Sequence, residues 1–228
     1  MSKIIVALDG FSSCGKSTTA KRVAAQLHYA FVDTGAMYRA VALYLHRQQI
    51  DIKDIQAVEE ALKHIEIGFE FNPARQASDT LLNGENVEQE IRKMYISELV
   101  SQVAAITVVR RAMVAQQQKM GQKKGLVMDG RDIGTVVFPD AEVKIFMTAQ
   151  PHIRAQRRKL ELLQKGEDLP LEEIIENLRM RDEIDSNRAE GPLKRADDAI
   201  DLDTSFRSMD EQVDFVLAQV ERVQREKK

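Results

Sequence analysis

Residues Gly10 to Ser17 read GFSSCGKS and fit G-x-x-x-x-G-K-[ST] at every position. Glycines at the ends of such a loop let backbone N–H groups curl around phosphate oxygens, and a helix N-terminus behind them adds a favourable dipole. A lysine at 16 supplies a point charge for the β- and γ-phosphates of a nucleoside triphosphate, and a serine hydroxyl at 17 can ligate Mg2+. The context agrees. The apolar run Ile4–Leu8 reads as a strand entering the loop, and Lys16–Leu27 has helical spacing through Ala20, Val23, Ala24 and Leu27. Gly10, Phe11, Ser12, Ser13, Cys14, Gly15, Lys16, Ser17 and Thr18 are therefore expected along the triphosphate, with Cys14 as a small loop residue.

Three other segments carry groups suited to polyanion chemistry. DTGAMYRAVALYL, Asp33 to Leu45, places Tyr38 and Arg39 early on a helix. They are either contacts for a second ligand or a core tyrosine and a solvated arginine. Further on, Leu171, Ile174, Ile175 and Leu178 trace an apolar helical stripe, and Arg181, Asp182 and Asp185 continue it, with Arg188 one turn on. Arg181 ahead of Asp185 is the poorer order for an i,i+4 pair, worth only about 0.2–0.5 kcal/mol at best. These charges are expected to face a polar cleft. Last, GLVMDGRDIGTVVFPDA, Gly125 to Ala141, ends an apolar strand in Asp129, Arg131 and Asp132. The carboxyl end of a parallel strand is where α/β sheets bind ligands. There Asp129 can support Mg2+ directly or through water, Arg131 can clamp a phosphate bidentately, and Asp132 can accept from an exocyclic amine.

Positioning these groups takes an α/β fold. A strand, a glycine-rich turn, a helix and the short strand YAFVD make a βαβ unit, which implies a parallel sheet flanked by helices. A helix over 36–48 follows. The alternation in IEIGFEF and the Asn83-Gly84 turn in TLLNGENV then predict a small antiparallel insertion. Helices are expected at about 88–105, 108–120, 151–165, 171–189 and 209–223, and strands at 125–129, 142–147 and in DDAIDLD. LQKGEDLP and EGPLKRAD are the candidate flexible stretches.

Composition narrows the classes. The 228 residues are 43% hydrophobic and 30% charged with net charge −3, ordinary for a globular enzyme and against a dedicated polynucleotide binder. Residues 151–195 balance basic and acidic side chains, which suits an arginine-lined pocket for a small polyanion rather than a basic patch. No run is long and apolar enough to span a membrane, and no signal-peptide pattern opens the chain. One cysteine fits a reducing compartment, so a cytoplasmic location is expected, and, with no long apolar patch to demand a partner, a monomer without membrane or nucleic-acid partners.

DGFSSCGKST, DTGAMYRA, SQVAA, DGRDIGTVVFPDAEVKIF, QRR and RDEIDSNR occur in the order and spacing of bacterial cytidylate kinases, which the chain resembles over nearly its whole length. The resemblance implies a P-loop kinase of the nucleoside monophosphate kinase family, 1–228 as a single domain. Its core would be about 1–36, 106–155 and 190–228, its monophosphate-binding insertion about 37–105, and its helical lid about 156–189. It implies transfer of the γ-phosphate of ATP to CMP or dCMP with Mg2+. In family terms Ser101, Arg110 and Asp132 would contact cytosine, and Thr34, Tyr38, Arg39, Asp129 and Arg131 would hold or flank the acceptor. Arg181 and Asp185 would lie near the sugar. Arg188 would reach the phosphates with Lys16, Arg131 and the lid arginine Arg158, and Arg157 would join the ATP side. SFRSMDEQ would contact adenine. Thr34 stands where many members have Ser, Phe11 where proline is common, and Ser17-Thr18 where some have Gly-Thr; none removes a required group. Another small acceptor, such as UMP, AMP or shikimate, is the alternative. A GTPase would need a guanine-reading N-K-x-D, which is absent, and the acidic balance argues against a nucleic-acid motor.

Overall fold

A computed structural model of the chain describes residues 3–72, 77–164 and 166–226. Eight strands and eight α-helices are described: β1 (Ile5–Gly10), α1 (Lys16–Leu27), β2 (Ala30–Asp33), α2 (Thr34–Arg47), α3 (Ile55–Leu62), β3 (Ile67–Asn72), β4 (Ala77–Leu82), β5 (Glu85–Asn86), α4 (Met94–Ala105), α5 (Thr107–Gly121), β6 (Leu126–Gly130), β7 (Val143–Thr148), α6 (Pro151–Gln164), α7 (Leu171–Asn187), β8 (Ile200–Asp203) and α8 (Met209–Glu226). The chain divides into two compact units, one of Met1–Val32 with Gly121–Lys228 and one of Asp33–Met120.

In the first unit the sheet order is β2-β6-β1-β7-β8, and β1 pairs in parallel with both β6 and β7. A strand covered on both faces must be apolar throughout, and β1 and β6 are buried at every residue. Val6 and Leu8 of β1, Val127 of β6 and Ile145 and Met147 of β7 share one core with Ala20 and Val23 of α1 and Val213, Val216 and Val220 of α8. Helices α6 and α7 close on a separate small core of Ala155, Leu162, Ile174 and Leu178. Ile175, expected on that stripe, is instead exposed, because a stripe one helix wide buries only the side chains that face its partner.

In the second unit β3, β4 and β5 form the expected antiparallel sheet, with Asn83 (φ 51°) and Gly84 (φ 82°) turning β4 into β5. Positive φ at both central residues is the type I′ requirement that Asn-Gly meets. Helix α2 buries Met37, Val41 and Leu45 and packs on α4 and β4.

Three boundaries differ from expectation. Helix α2 starts at Thr34 rather than Ala36, because Asp33 caps it by accepting from Ala36 N at 2.8 Å. The span 88–105 is not one helix but a 3₁₀ turn, Glu90–Arg92, and then α4, parted at Lys93 with ψ 157°. Tertiary bonds account for the break: Glu88 Oε2 accepts from Thr80 Oγ1 at 2.7 Å, and Arg92 reaches Asp33 at 2.9 Å. Helix α3, not expected from the sequence, has a capping Asp54 that accepts from Ala57 N at 3.0 Å. Of the candidate flexible stretches, EGPLKRAD is tied down, with Leu193 buried and its N–H bonded to Asp185 O at 2.7 Å. LQKGEDLP is described except at position 165; there Gly166 (φ 82°) and Glu167 donate to Leu163 O and Leu162 O and close α6. Among the described residues no helix is long and apolar enough to cross a membrane.

Gly10 is where sheet and phosphate loop meet. Its φ is 147°, and a Cβ there would lie 2.0 Å from the Met147 carbonyl oxygen of β7. Gly10→Ala is therefore expected to lower stability by at least about 2 kcal/mol, the scale of core overpacking, in reversible denaturant unfolding. A midpoint equal to wild type would show that β7 yields freely.

Candidate active site

The phosphate loop turns on residues held at positive φ, Ser13 at 59° and Gly15 at 96°, and Gly15 is the N-cap of α1 with no side-chain cap. The first amides of α1 are thus not taken up by a capping side chain, as an anion-binding helix start requires. Phe11 fills the place where proline is common by packing edge-on against Phe146, with ring centroids 6.1 Å apart. Cys14 is buried, and its carbonyl accepts from Thr204 Oγ1 at 2.8 Å. Lys16 is buried and donates to Phe11 O at 2.5 Å. Burial, then repulsion from Arg131, lowers its pKa. Ser17 and Thr18 are exposed at the helix start. Ser17 Oγ donates to Asp129 Oδ2 at 2.7 Å, joining the loop to the end of β6. A hydroxyl and a carboxylate make an all-oxygen donor pair, which suits a hard divalent cation that keeps most of its waters.

Beyond β6, Arg131 extends in two directions at once. Its Nη2 donates to Ser12 Oγ of the phosphate loop at 2.6 Å, and its Nε to Asp185 Oδ2 of α7 at 2.8 Å. Burial pulls the guanidinium pKa down, but the Asp185 carboxylate outweighs it and holds the net shift upward. Asp185 is shifted down: burial opposes its charge, yet Arg131, Arg188 and Arg181 prevail. Arg188 lies just past the end of α7 in extended backbone, not on its stripe. Its Nε donates to Gly191 O at 2.7 Å, and its two terminal nitrogens lie 3.6 Å from Asp132 Oδ1 and Asp185 Oδ1. Arg181 is pushed down to about 10, by burial first and by Arg131 next. Lys16 and Arg181 are thus both lowered by burial first and by the same neighbouring guanidinium second, a shift that an anion beside them would oppose.

Both arginines expected on the lid are on α6, and Arg158 is near enough to Arg181 to contribute to lowering its pKa. Arg157 bonds Thr204 twice, Nη1 to Oγ1 at 3.0 Å and Nη2 to the carbonyl at 2.6 Å, while Arg158 pairs with Glu161 on its own helix at 2.9 Å. In SFRSMDEQ, Gln212 Oε1 accepts from Thr19 Oγ1 at 3.0 Å beside Gly15, and Phe206 stands 80% exposed.

The remaining predicted residues belong to the second unit. Thr34, Tyr38 and Ser101 are buried on α2 and α4, and Arg110 of α5 is buried with its guanidinium 5.6 Å from the centroid of the Tyr38 ring. Arg39 is not the solvated arginine of one reading, since it donates to Asp33 Oδ2 at 3.2 Å. Asp33 also accepts from Arg92 at 2.9 Å. Burial works against the Asp33 carboxylate, but Arg92 and then Arg39 hold it far below the usual range.

A cytidylate kinase family model matches residues 6–222. The chain belongs to the cytidylate kinase family. A relative named cytidylate kinase from Cytophaga hutchinsonii is 55% identical over 217 residues, covering 95% of this chain and 93% of its own. Another of that name from Bacteroides thetaiotaomicron is 53% identical over 229 residues, covering 99% and 100%. An uncharacterized Eubacterium ventriosum protein of known structure, 11% identical, covers 97% of this chain and 99% of its own at a TM-score of 0.51, a likeness of fold alone.

Within this cytidylate kinase fold, sequence reasoning missed Arg154, Thr204 and Arg92. Arg154 donates to Asp182 Oδ2 at 2.7 Å and to Ser12 O at 3.3 Å, with its guanidinium 5.2 Å from the Phe11 ring centroid. Its place in the first turn of a helix that follows a parallel strand was the available signal. Arg92 offered none, because its partner Asp33 lies 59 residues away.

The Asp33 clamp has an acid signature. A depressed carboxylate stabilises fully above its unfolded pKa near 3.8 and loses that contribution as pH falls below it. Wild type should therefore lose stability more steeply than Asp33→Asn below about pH 4 in acid-unfolding curves. Parallel curves would show that Arg92 and Arg39 contribute nothing through this charge.

Proposed function

We propose that the protein transfers the γ-phosphoryl group of ATP to CMP or dCMP, giving ADP with CDP or dCDP. Family membership supports the reaction. The observation that carries the geometry is Arg131, which bonds the ATP loop through Ser12 and the arginine-rich cluster of α7 through Asp185. That span supports reading Arg131 as the guanidinium that holds the group in transfer.

The nucleophile is a phosphate oxygen of CMP, already anionic near neutral pH, so no general base is needed. The barrier lies in holding two polyanions in line and neutralising the charge they bring together. Lys16 and the amides of the phosphate loop take the triphosphate. Arg131, Arg188, Arg181 and, on closure of the α6–α7 lid, Arg158 take the phosphoryl charge. Ser17 and Asp129 would hold Mg2+, which neutralises the β- and γ-phosphate oxygens when bound. Arg157 and the SFRSMDEQ segment belong to the adenosine end of ATP. Asp132 reads the cytosine amine, with Ser101 and Arg110 as further base contacts and Thr34, Tyr38 and Arg39 holding the acceptor. Asp185 and Arg181 flank the sugar.

ADP production measured in parallel with CMP, dCMP, UMP and AMP should be greatest for the two cytidine acceptors. Equal turnover of UMP or AMP would replace the acceptor assignment with the broader kinase reading. Asp132→Ala should raise KM for CMP by about 10-fold or more while KM for ATP stays near wild type, since one base-reading contact is worth about 1–3 kcal/mol. A matching rise in both constants would remove Asp132 from base recognition. Arg188→Ala should lower kcat by about 10³ or more, the scale of a guanidinium that meets transferring phosphate. Unfolding measured alongside separates this from lost stability, and near-wild-type turnover would sink the role.

A further inference from the structure

No motif assigns a task to the residue just ahead of the phosphate loop. Asp9, second to last in β1, is buried, and its carboxylate is fully engaged: Oδ1 accepts from Ile133 N at 2.8 Å and Oδ2 from Gly134 N at 2.7 Å. These are the first two amides of a π-helical turn, Ile133–Val137, that follows directly on Arg131 and Asp132. An aspartate at the N-cap ordinarily accepts from the amides of its own first turn. Asp132 holds that position, with φ −145°, yet its side chain makes no capping bond. A carboxylate from another strand caps in its place. Asp132 Oδ1 instead lies 3.6 Å from Arg188 Nη2.

We propose that Asp9 is a positioning residue for acceptor recognition, fixing through the Ile133 and Gly134 amides the loop that presents Arg131 and Asp132. The proposal rests on the reading of those two side chains as acceptor contacts. Three features support it. β1 is hydrogen-bonded on both sides, to β6 and to β7, so its end is a firm anchor. Crowding at the far side leaves the turn little freedom, since a Cβ on Gly134 would lie 3.1 Å from Lys144 Cδ and 3.4 Å from Asp9 Oδ2. The carboxylate is held against its surroundings: burial and, less strongly, Asp132 push it up, the two amides and then Lys16 pull it down, and the net is about 6. A charge kept in so buried a place is expected to have a structural partner that needs it, and the two amides are that partner.

Asp9→Asn in the full chain is the direct test. Asn has nearly the same shape but offers one acceptor oxygen, and its NH2 then faces the second amide donor. Hydrogen exchange of the Ile133 and Gly134 amides by NMR should quicken, and KM for CMP should rise by up to about 10²-fold, the scale of a small misplacement at a reacting site. KM for ATP should change little. Gly134→Ala, whose Cβ would meet Lys144 Cδ at 3.1 Å and Asp9 Oδ2 at 3.4 Å, perturbs the same contact from the turn's side while keeping the carboxylate, and KM for CMP should again rise selectively. Unchanged amide exchange with unchanged KM for CMP overturns the proposal. So does an equal rise in KM for ATP, which would place the effect of Asp9 in the phosphate loop. If wild type itself shows no preference for CMP over UMP and AMP, the acceptor reading fails, and the exchange of the two amides alone decides whether Asp9 holds the loop.

Discussion

The cost of gathering cations away from water, burial first and mutual repulsion second, is the constraint around which the first unit's charges are arranged. Lys16, Arg154 and Arg188 are buried at one end of a parallel sheet with Arg131 and Arg181 half-buried beside them, and a cation buried alone there would be costly. The carboxylates of Asp185, Asp182 and Asp132 meet Arg131, Arg154 and Arg188 at defined nitrogens. Compensation is incomplete, because Lys16 and Arg181 remain lowered, by burial first and by Arg131 next, even with those carboxylates in place. Negative charge beside these groups would offset both the burial and the repulsion, which is the electrostatics a phosphate-handling site calls for.

The acidic residues accordingly do different work at short range. Asp185 orients Arg131, Asp182 holds Arg154 against the phosphate loop, and Asp129 meets the Ser17 hydroxyl. Asp9 bonds backbone rather than cation. In the second unit Asp33 follows the same logic. A buried carboxylate caps α2 and is fastened by Arg92 and Arg39, so the helix start that carries Thr34 and Tyr38 is fixed by charge as well as by packing.

Much of this was legible in the residue order. The parallel strands stand out because strands covered on both faces are apolar without alternation, as in β1 and β6. Asn83-Gly84 marks its turn through the φ values that those residues tolerate. The phosphate loop and the unusual charges of Arg181, Asp182 and Asp185 on an apolar stripe are local patterns, and local patterns survive without a fold. Helix α3 was legible too, through Asp54, and was overlooked. The break at Lys93 was not, because a continuous helical pattern there is overridden by the bonds of Glu88 to Thr80 and Arg92 to Asp33.

By itself the sequence determined the nucleotide-binding loop, the parallel sheet behind it, the inserted antiparallel sheet and the family, since each depends on neighbours along the chain or on a residue order spanning all of it. Only the tertiary structure decided which charges meet. Arg131 joins Ser12 and Asp185 across 119 and 54 residues, and Asp9 caps a turn 124 residues on. Contacts at such separations carry no periodicity and leave no spacing to read. They exist because strands distant in the chain run side by side and end at the same edge.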